Sequence, residues 1–286
     1  MKDSKLHTRH LIEMNVAMLF GSTSGVLGRY IELPVTVTIC LRASLAFLLL
    51  FLYCKWRKFS FKIFKEDRFL LFVSAVLMGV HFVSYFYALQ YSNVAIAMLS
   101  LFTYPVITSF LEPLILKTKF QKVHLLLAGM LLCGIYFLVP DFSLENSYSI
   151  AVFFGVFSAV CYALRNILMK SKVTRYNGSF LMCYQMGVTG VLLLPALYFI
   201  DFDSVISQWK ALAALALLTT TIGHTLFLNS FKHFSITTAS ILSSIQPVYG
   251  IILGALFLSE IPALPTVFGG ALILASVLIE SLRSRK

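Results

Sequence analysis

His81 and Tyr85 stand four residues apart, one helical turn, in an apolar stretch that also carries Ser84 and Tyr87. An imidazole, two phenols and a hydroxyl on one helix suit a ligand with a ring and polar edges, held by stacking and hydrogen bonding. Tyr162 and Asn166 repeat the i, i+4 spacing in a later apolar stretch, and His224 shares another with Asn229. Two further stretches set small residues and one large polar side chain beside a proline: Ala97, Leu101, Tyr104 and Thr108 around Pro105, and Ala239, Ser243, Gln246 and Gly250 around Pro247. A proline within a helix removes a donor and loosens a carbonyl one turn back, so Pro105 and Pro247 are expected kinks. Such a composition describes a cavity wall, a close helix crossing through small residues, or both on different faces. The expected ligand-binding residues on this reading are His81, Tyr85, Tyr104, Tyr162, Asn166, Ser243 and Gln246.

Ionisable groups in the apolar stretches are the gating and coupling candidates, because they are expensive at membrane depth. Arg42 lies eight residues into its stretch, too deep to reach an interface, and needs either an anion or backbone carbonyls as partner. Glu112, followed by Pro113 and Lys117, is an interfacial ion pair or a proton-linked gate. His224 is the third candidate, with a cavity role or a bond to a neighbouring helix both open. Glu13 is shallower, and Arg165 is expected to snorkel to the nearer surface.

The elements that would position these groups are membrane helices. Of the 286 residues 59% are hydrophobic and 12% charged, far more apolar than a core of that size requires. Ten apolar runs are long enough to cross about 30 Å of hydrocarbon: 11–28, 34–54, 69–90, 93–116, 123–139, 149–171, 177–200, 209–231, 236–258 and 264–282. They lack period-2 alternation, which excludes a β-barrel. Val94 to Leu116 and Ile236 to Leu258 match in register at Ala97/Ala239, Pro105-Val106/Pro247-Val248 and Leu111/Leu253. Each is followed by a polar turn and a Gly-containing span, Val123 to Val139 and Leu264 to Ile279. The expected fold is an all-α membrane protein of ten helices in a five-plus-five inverted repeat, with halves 1–145 and 146–286.

A net charge of +11 would suggest nucleic acid in a soluble chain, but the charges sort by side. Nineteen lysines and arginines fall on one face, notably Lys55 to Arg68, against Arg29 and Lys210 on the other, which also holds Glu32, Asp141, Glu145, Asp201, Asp203 and Glu260. The positive-inside rule then places both termini in the cytoplasm. Corresponding loops carry opposite charge: Lys117-Thr118-Lys119 answers to Ser259-Glu260-Ile261, and the basic loop 55–68 to the acidic loop 201–208. Cys40, Cys54, Cys133, Cys161 and Cys183 are scattered singly, implying neither disulfide nor metal framework. The first apolar run contains Glu13 and Asn15 and lacks a small-residue cleavage site, so it is expected to be retained. No loop exceeds about 15 residues, leaving no room for an extramembrane domain.

The whole chain resembles the EamA-type drug/metabolite transporters. The matching segments are Pro34 to Leu48 with its arginine, His81 to Ala97, Phe110-Leu111-Glu112-Pro113-Leu114, Gly223-His224-Thr225-Leu226-Phe227, and Pro247-Val248-Tyr249-Gly250-Ile251 leading to Ser259-Glu260. Two departures stand out: Leu19-Phe20-Gly21-Ser22 where the family commonly shows Trp-Gly, and Gln246 where many members carry glutamate before proline. The resemblance implies a central cavity lined by the first, third, fourth, sixth, eighth and ninth spans, with His81, Tyr104, Tyr162 and Ser243 or Ser244 in its wall. It further implies export of a small metabolite, an amino acid or aromatic compound, across a bacterial inner membrane by alternating access. The partners expected are that substrate and the lipid bilayer, with no nucleic acid, metal or cofactor, and the chain acting as a monomer. The rivals are a proton-coupled exporter of cationic drugs using Glu13 and a non-transporting receptor or enzyme. Motifs for the latter, such as H-E-x-x-H or a nucleophile elbow, are missing.

Overall fold

The computed structural model of the chain describes residues 2–116, 123–138, 143, 145–234, 239 and 242–283. The basic turn 117–122, Val139, Asp141, Ile236 and the residues after Arg283, all used in the reading above, lie outside them. The described residues form helices and no strand: α1 (Lys2–Tyr30), α2 (Val35–Trp56), α3 (Arg68–Tyr91), α4 (Val94–Leu101), α5 (Tyr104–Leu116), α6 (Val123–Leu138), α7 (Ser147–Lys170), α8 (Gly178–Leu193), α9 (Phe202–Ala214), a π-helix (Leu215–His224), α10 (Thr225–Ser230), α11 (Gln246–Leu258) and α12 (Leu264–Arg283). Seven continuous stretches are long and apolar enough to cross a bilayer: His10–Tyr30, Val35–Trp56, Lys65–Tyr91, Val94–Ile115, Ser147–Lys170, Gly178–Phe199 and Phe202–Ser230. Leu126–Leu138, Ser243–Leu258 and Leu264–Ile279 are shorter apolar helices.

Local chemistry sets the ends. Asn93, Asn146 and Asn177 each cap a helix, accepting at 2.9 Å from the backbone N–H of Ile96, Tyr148 and Ser179 and so satisfying donors the helix leaves open. The fourth stretch breaks at Phe102–Thr103, and Pro105 becomes the second residue of α5, where its missing N–H is one the first turn would not use. Pro247 likewise falls in the first turn of α11, behind a 3₁₀ turn at Ser243–Ile245. The expected mid-helix kinks are therefore helix restarts. Ala97, Leu101, Tyr104 and Thr108 do not form one continuous face; all four are buried on either side of the break.

Two more expectations are corrected. The eighth span begins at Phe202 instead of 209, so most of the expected acidic loop 201–208 is helical. Arg165 does not snorkel: it is 0% exposed, and its nitrogens donate to Gln185 Oε1 (2.6 and 3.1 Å) and Asn166 Oδ1 (3.0 Å), which satisfy it inside the protein.

Helix α3 packs along α7, α2 along α8, and α6 along α12, while α1 lies against the π-helix and α11, and α4 sits between α7 and α11. Val94–Ile115 is the most enclosed of the seven stretches, with 83% of its apolar window buried, so it runs through the middle of the bundle. Large apolar side chains such as Leu52, Phe153, Leu256 and Phe268 are exposed around the outside, as a fold solvated by lipid requires. Trp56, the last residue of α2, is 74% exposed in the manner of an interfacial anchor, and Trp209, about two turns into α9, is 57% exposed. Ion pairs tie both ends. Asp67 accepts from Lys172 (2.8 Å), Arg175 (3.0 Å) and Tyr176 (2.6 Å) at one end. At the other, Glu260 accepts from Arg29 Nε (3.1 Å) and from the backbone N–H of Val94 (2.8 Å), bridging α1 to the start of α4.

Candidate functional site

The helix restarts place Tyr104 and Ser243 at facing chain breaks, and their hydroxyls hydrogen-bond. Around that bond lies a small cavity of about 30 Å³, room for one or two waters. His81 from α3, Leu101, Phe102 and Tyr104 from the broken fourth stretch, Tyr162 from α7, Gly223 and His224 from the π-helix, and Phe227, Ser243 and Gln246 line it. Ala17, Met18 and Gly21 of α1 complete the wall. Gly21 leaves room there for the Gln246 side chain, whose Nε2 a Cβ on residue 21 would meet at 3.0 Å.

Tyr162 is the hub of the aromatic wall. Its ring stacks on His81 (centroids 4.4 Å, 21° between planes), meets Tyr104 edge-on at 5.0 Å, and lies 6.0 Å from Phe227 and 6.2 Å from His224. Ser158 orients the imidazole: its hydroxyl donates to the His81 carbonyl (2.9 Å), so its oxygen accepts from Nδ1 at 2.8 Å. This pairing assigns the proton of a neutral His81 to Nδ1 and leaves Nε2 as an acceptor. The π-helix packs one extra residue into each turn and brings Gly223 and His224 onto the cavity side, a local device common at functional sites.

Of the sequence-derived residues, His81, Tyr104, Tyr162, Ser243, Gln246 and His224 converge on the cavity. Tyr85, on the same helix as His81 with ring planes 12° apart, lies outside its wall. Asn166 accepts from Arg165, and Ser244 stands next to the lining residue Ser243 without joining it. Glu112 interacts electrostatically with Lys170, whose ammonium donates to the Phe231 and Phe234 carbonyls, and neither residue lines the cavity. Arg42 is fully buried behind Phe82. Pro105 and Pro247 shape the wall without lining it. The α1 residues, Phe102 and Phe227 were missed, because small and purely apolar residues in an apolar chain carry no local signal; only the pairing of Gly21 with the long Gln246 side chain could have suggested them.

The EamA-like transporter family matches residues 11–139 and again 149–282. The chain belongs to this family. It is thus a multi-pass membrane transporter built from two copies of the family unit. It is 31% identical to an uncharacterized transporter of Archaeoglobus fulgidus over 75% of this chain and 77% of that one. It is 25% identical to the pseudopaline exporter CntI of Pseudomonas aeruginosa, over 89% of this chain and 88% of the relative. A solved crystal structure shares the fold at a TM-score of 0.72 and 16% identity, covering 97% of this transporter and 99% of that chain.

Proposed function

We propose that this transporter exports a small, ring-bearing metabolite, such as an amino acid or aromatic compound, by alternating access of two inverted five-helix halves, 1–145 and 146–286. The observation that carries the reading is the cavity itself: an aromatic and hydrogen-bonding pocket whose wall draws on both halves and on chain breaks in the fourth and ninth spans. Its volume of about 30 Å³ fits an occluded state rather than a loaded one.

Ten spans follow if the three shorter apolar helices cross together with the seven long ones. The helix contacts support the repeat. Exchanging the first five spans with the last five turns the pairing of α1 with the π-helix into that of α7 with α3, and the pairing of α1 with α11 into that of α7 with α4. The pairs α2–α8, α6–α12 and α4–α11 map onto themselves. Glu13, the carboxylate that a cationic-drug exporter would use, bonds His10 at 3.3 Å and does not line the cavity, which favours the metabolite reading.

The charge asymmetry supports cytoplasmic termini, and the family likeness supports a bacterial inner membrane. A cysteine at Ser60 is expected to react with an impermeant thiol reagent only from the cytoplasmic side, and one at Glu145 only from outside, with the native cysteines replaced. Labelling of both from one side sinks the inverted arrangement.

Transport itself is tested by uptake and counterflow of amino acids, nucleobases and cationic dyes in proteoliposomes, with and without a pH gradient. Counterflow of a ring-bearing metabolite is the expected result. Movement of cationic dyes alone would replace the reading with its rival.

A further inference from the structure

Two arginines are fully buried in the helix bundle, and they are treated very differently. Arg165 has all three nitrogens engaged by Gln185, Asn166 and the Met182 sulfur, the pattern of a structural guanidinium. Arg42 has one engaged: Nε donates to Thr220 Oγ1 at 2.7 Å, while Nη1 and Nη2 have no partner among the described residues. The nearby Tyr85 hydroxyl, buried and within electrostatic reach of Arg42, is also unpartnered. Phe82 and Phe86 lie under the guanidinium at 4.0 and 5.4 Å, which offsets part of the cost of burying the charge but satisfies none of its N–H groups.

Two guanidinium nitrogens and a neighbouring phenol hydroxyl are thus left with unused hydrogen-bonding capacity inside the bundle, and the fork of an arginine matches the two oxygens of a carboxylate. The place is adjacent to the cavity. The Phe82 ring that carries Arg42 meets His224 edge-on at 5.2 Å, and His224 is part of the cavity wall. Once the cavity opens, a ring-bearing acid can set its ring among Tyr162, His81 and Phe227 and extend its charge one side chain further, toward α2.

We propose that Arg42 and Tyr85 form an anion subsite beside the central cavity, which receives the carboxylate of the transported metabolite. This rests on the export reading above and narrows it to acids. Thr220, delivered by the π-helix, fixes Nε and so leaves the other two nitrogens presented to the ligand.

The test uses the purified full chain and three probes at equal ionic strength: sodium benzoate, its neutral isostere benzamide, and sodium chloride. Benzoate exceeds the closed cavity and so reports the opened form. Benzoate is expected to raise the melting temperature of the wild type, with benzamide and chloride leaving it unchanged. Arg42→Gln should weaken benzoate binding at least about tenfold without lowering the melting temperature of the ligand-free protein. Tyr85→Phe should weaken it severalfold. Equal stabilisation by benzoate and benzamide, an Arg42→Gln protein that still responds to benzoate, or no response in the wild type overturns the subsite. Should Arg42→Gln fail to fold, Arg42→Lys, which keeps the charge and loses the fork, takes its place together with Tyr85→Phe. The export reading fails separately, when no acid shows counterflow although benzoate binding still depends on Arg42. Counterflow of acids that is indifferent to Arg42 sinks the subsite alone.

Discussion

Replacing Tyr162 by alanine is expected to abolish transport and to destabilise the protein together, whereas Tyr162→Phe keeps the fold and isolates the role of the hydroxyl. The alanine variant removes the ring on which His81, Tyr104, Phe227 and His224 converge. Deleting a buried aromatic of this kind costs about 3–5 kcal/mol where the surroundings cannot collapse. His81→Ala and Tyr104→Phe divide the effect further. The first takes the imidazole away from Ser158 and removes one stacking partner; the second keeps the ring and deletes the hydroxyl that bonds Ser243. If these groups meet the substrate, each change weakens binding by about 1–3 kcal/mol, roughly fivefold to 150-fold. Ligand affinity and melting temperature measured on the same variants separate the two roles. An unchanged affinity with a lowered melting temperature would make the cluster packing and not a site.

The second large effect lies away from the cavity, where α6 and α12 cross at Gly134 and Gly269. A Cβ on Gly269 would stand 2.6 Å from the Gly134 carbonyl oxygen, and one on Gly134 would stand 2.9 Å from the Gly269 carbonyl oxygen. Both obstacles are backbone, so neither can swing aside. Gly269→Leu is expected to force the helices apart at a cost of about 1–3 kcal/mol or more. Two glycines serve as controls. Gly270→Ala meets the flexible Leu99 side chain at 2.9 Å and should cost less, and Gly129→Ala meets nothing within 4 Å. The latter should be neutral or stabilise by about 0.5–1 kcal/mol, since alanine is the better helix former. Thermal unfolding in detergent orders the three, and a Gly269→Leu protein melting within about one degree of the wild type would refute the close crossing.

The helices and the cavity candidates were legible in the sequence for different reasons. Hydrophobic length announces a membrane helix, and His81, Tyr104, Tyr162 and Gln246 stand out because polar groups are rare there. What the sequence hid is mostly backbone. Nothing in Leu215–His224 signals a π-helix, yet that local geometry brings Thr220 to Arg42 and His224 to the cavity. Proline marked the broken spans but not the point of breakage, because the chain turns at Phe102–Thr103 and uses Pro105 to restart. Arg165 was misread because its partners, Gln185 and Asn166, are neutral, and a search for opposite charges passes over them.

The placement of the two tryptophans has a spectroscopic consequence. Trp56 and Trp209 are the chain's only indoles, both project from the outer surface of the bundle, and neither touches the cavity. Native ultraviolet emission will therefore follow lipid composition and headgroup hydration and remain blind to cargo. That silence is useful: with Trp56 and Trp209 changed to phenylalanine, a single indole introduced at Phe227 would emit from beside Tyr162 against a dark background, so that each opening of the pocket to water registers as a red shift.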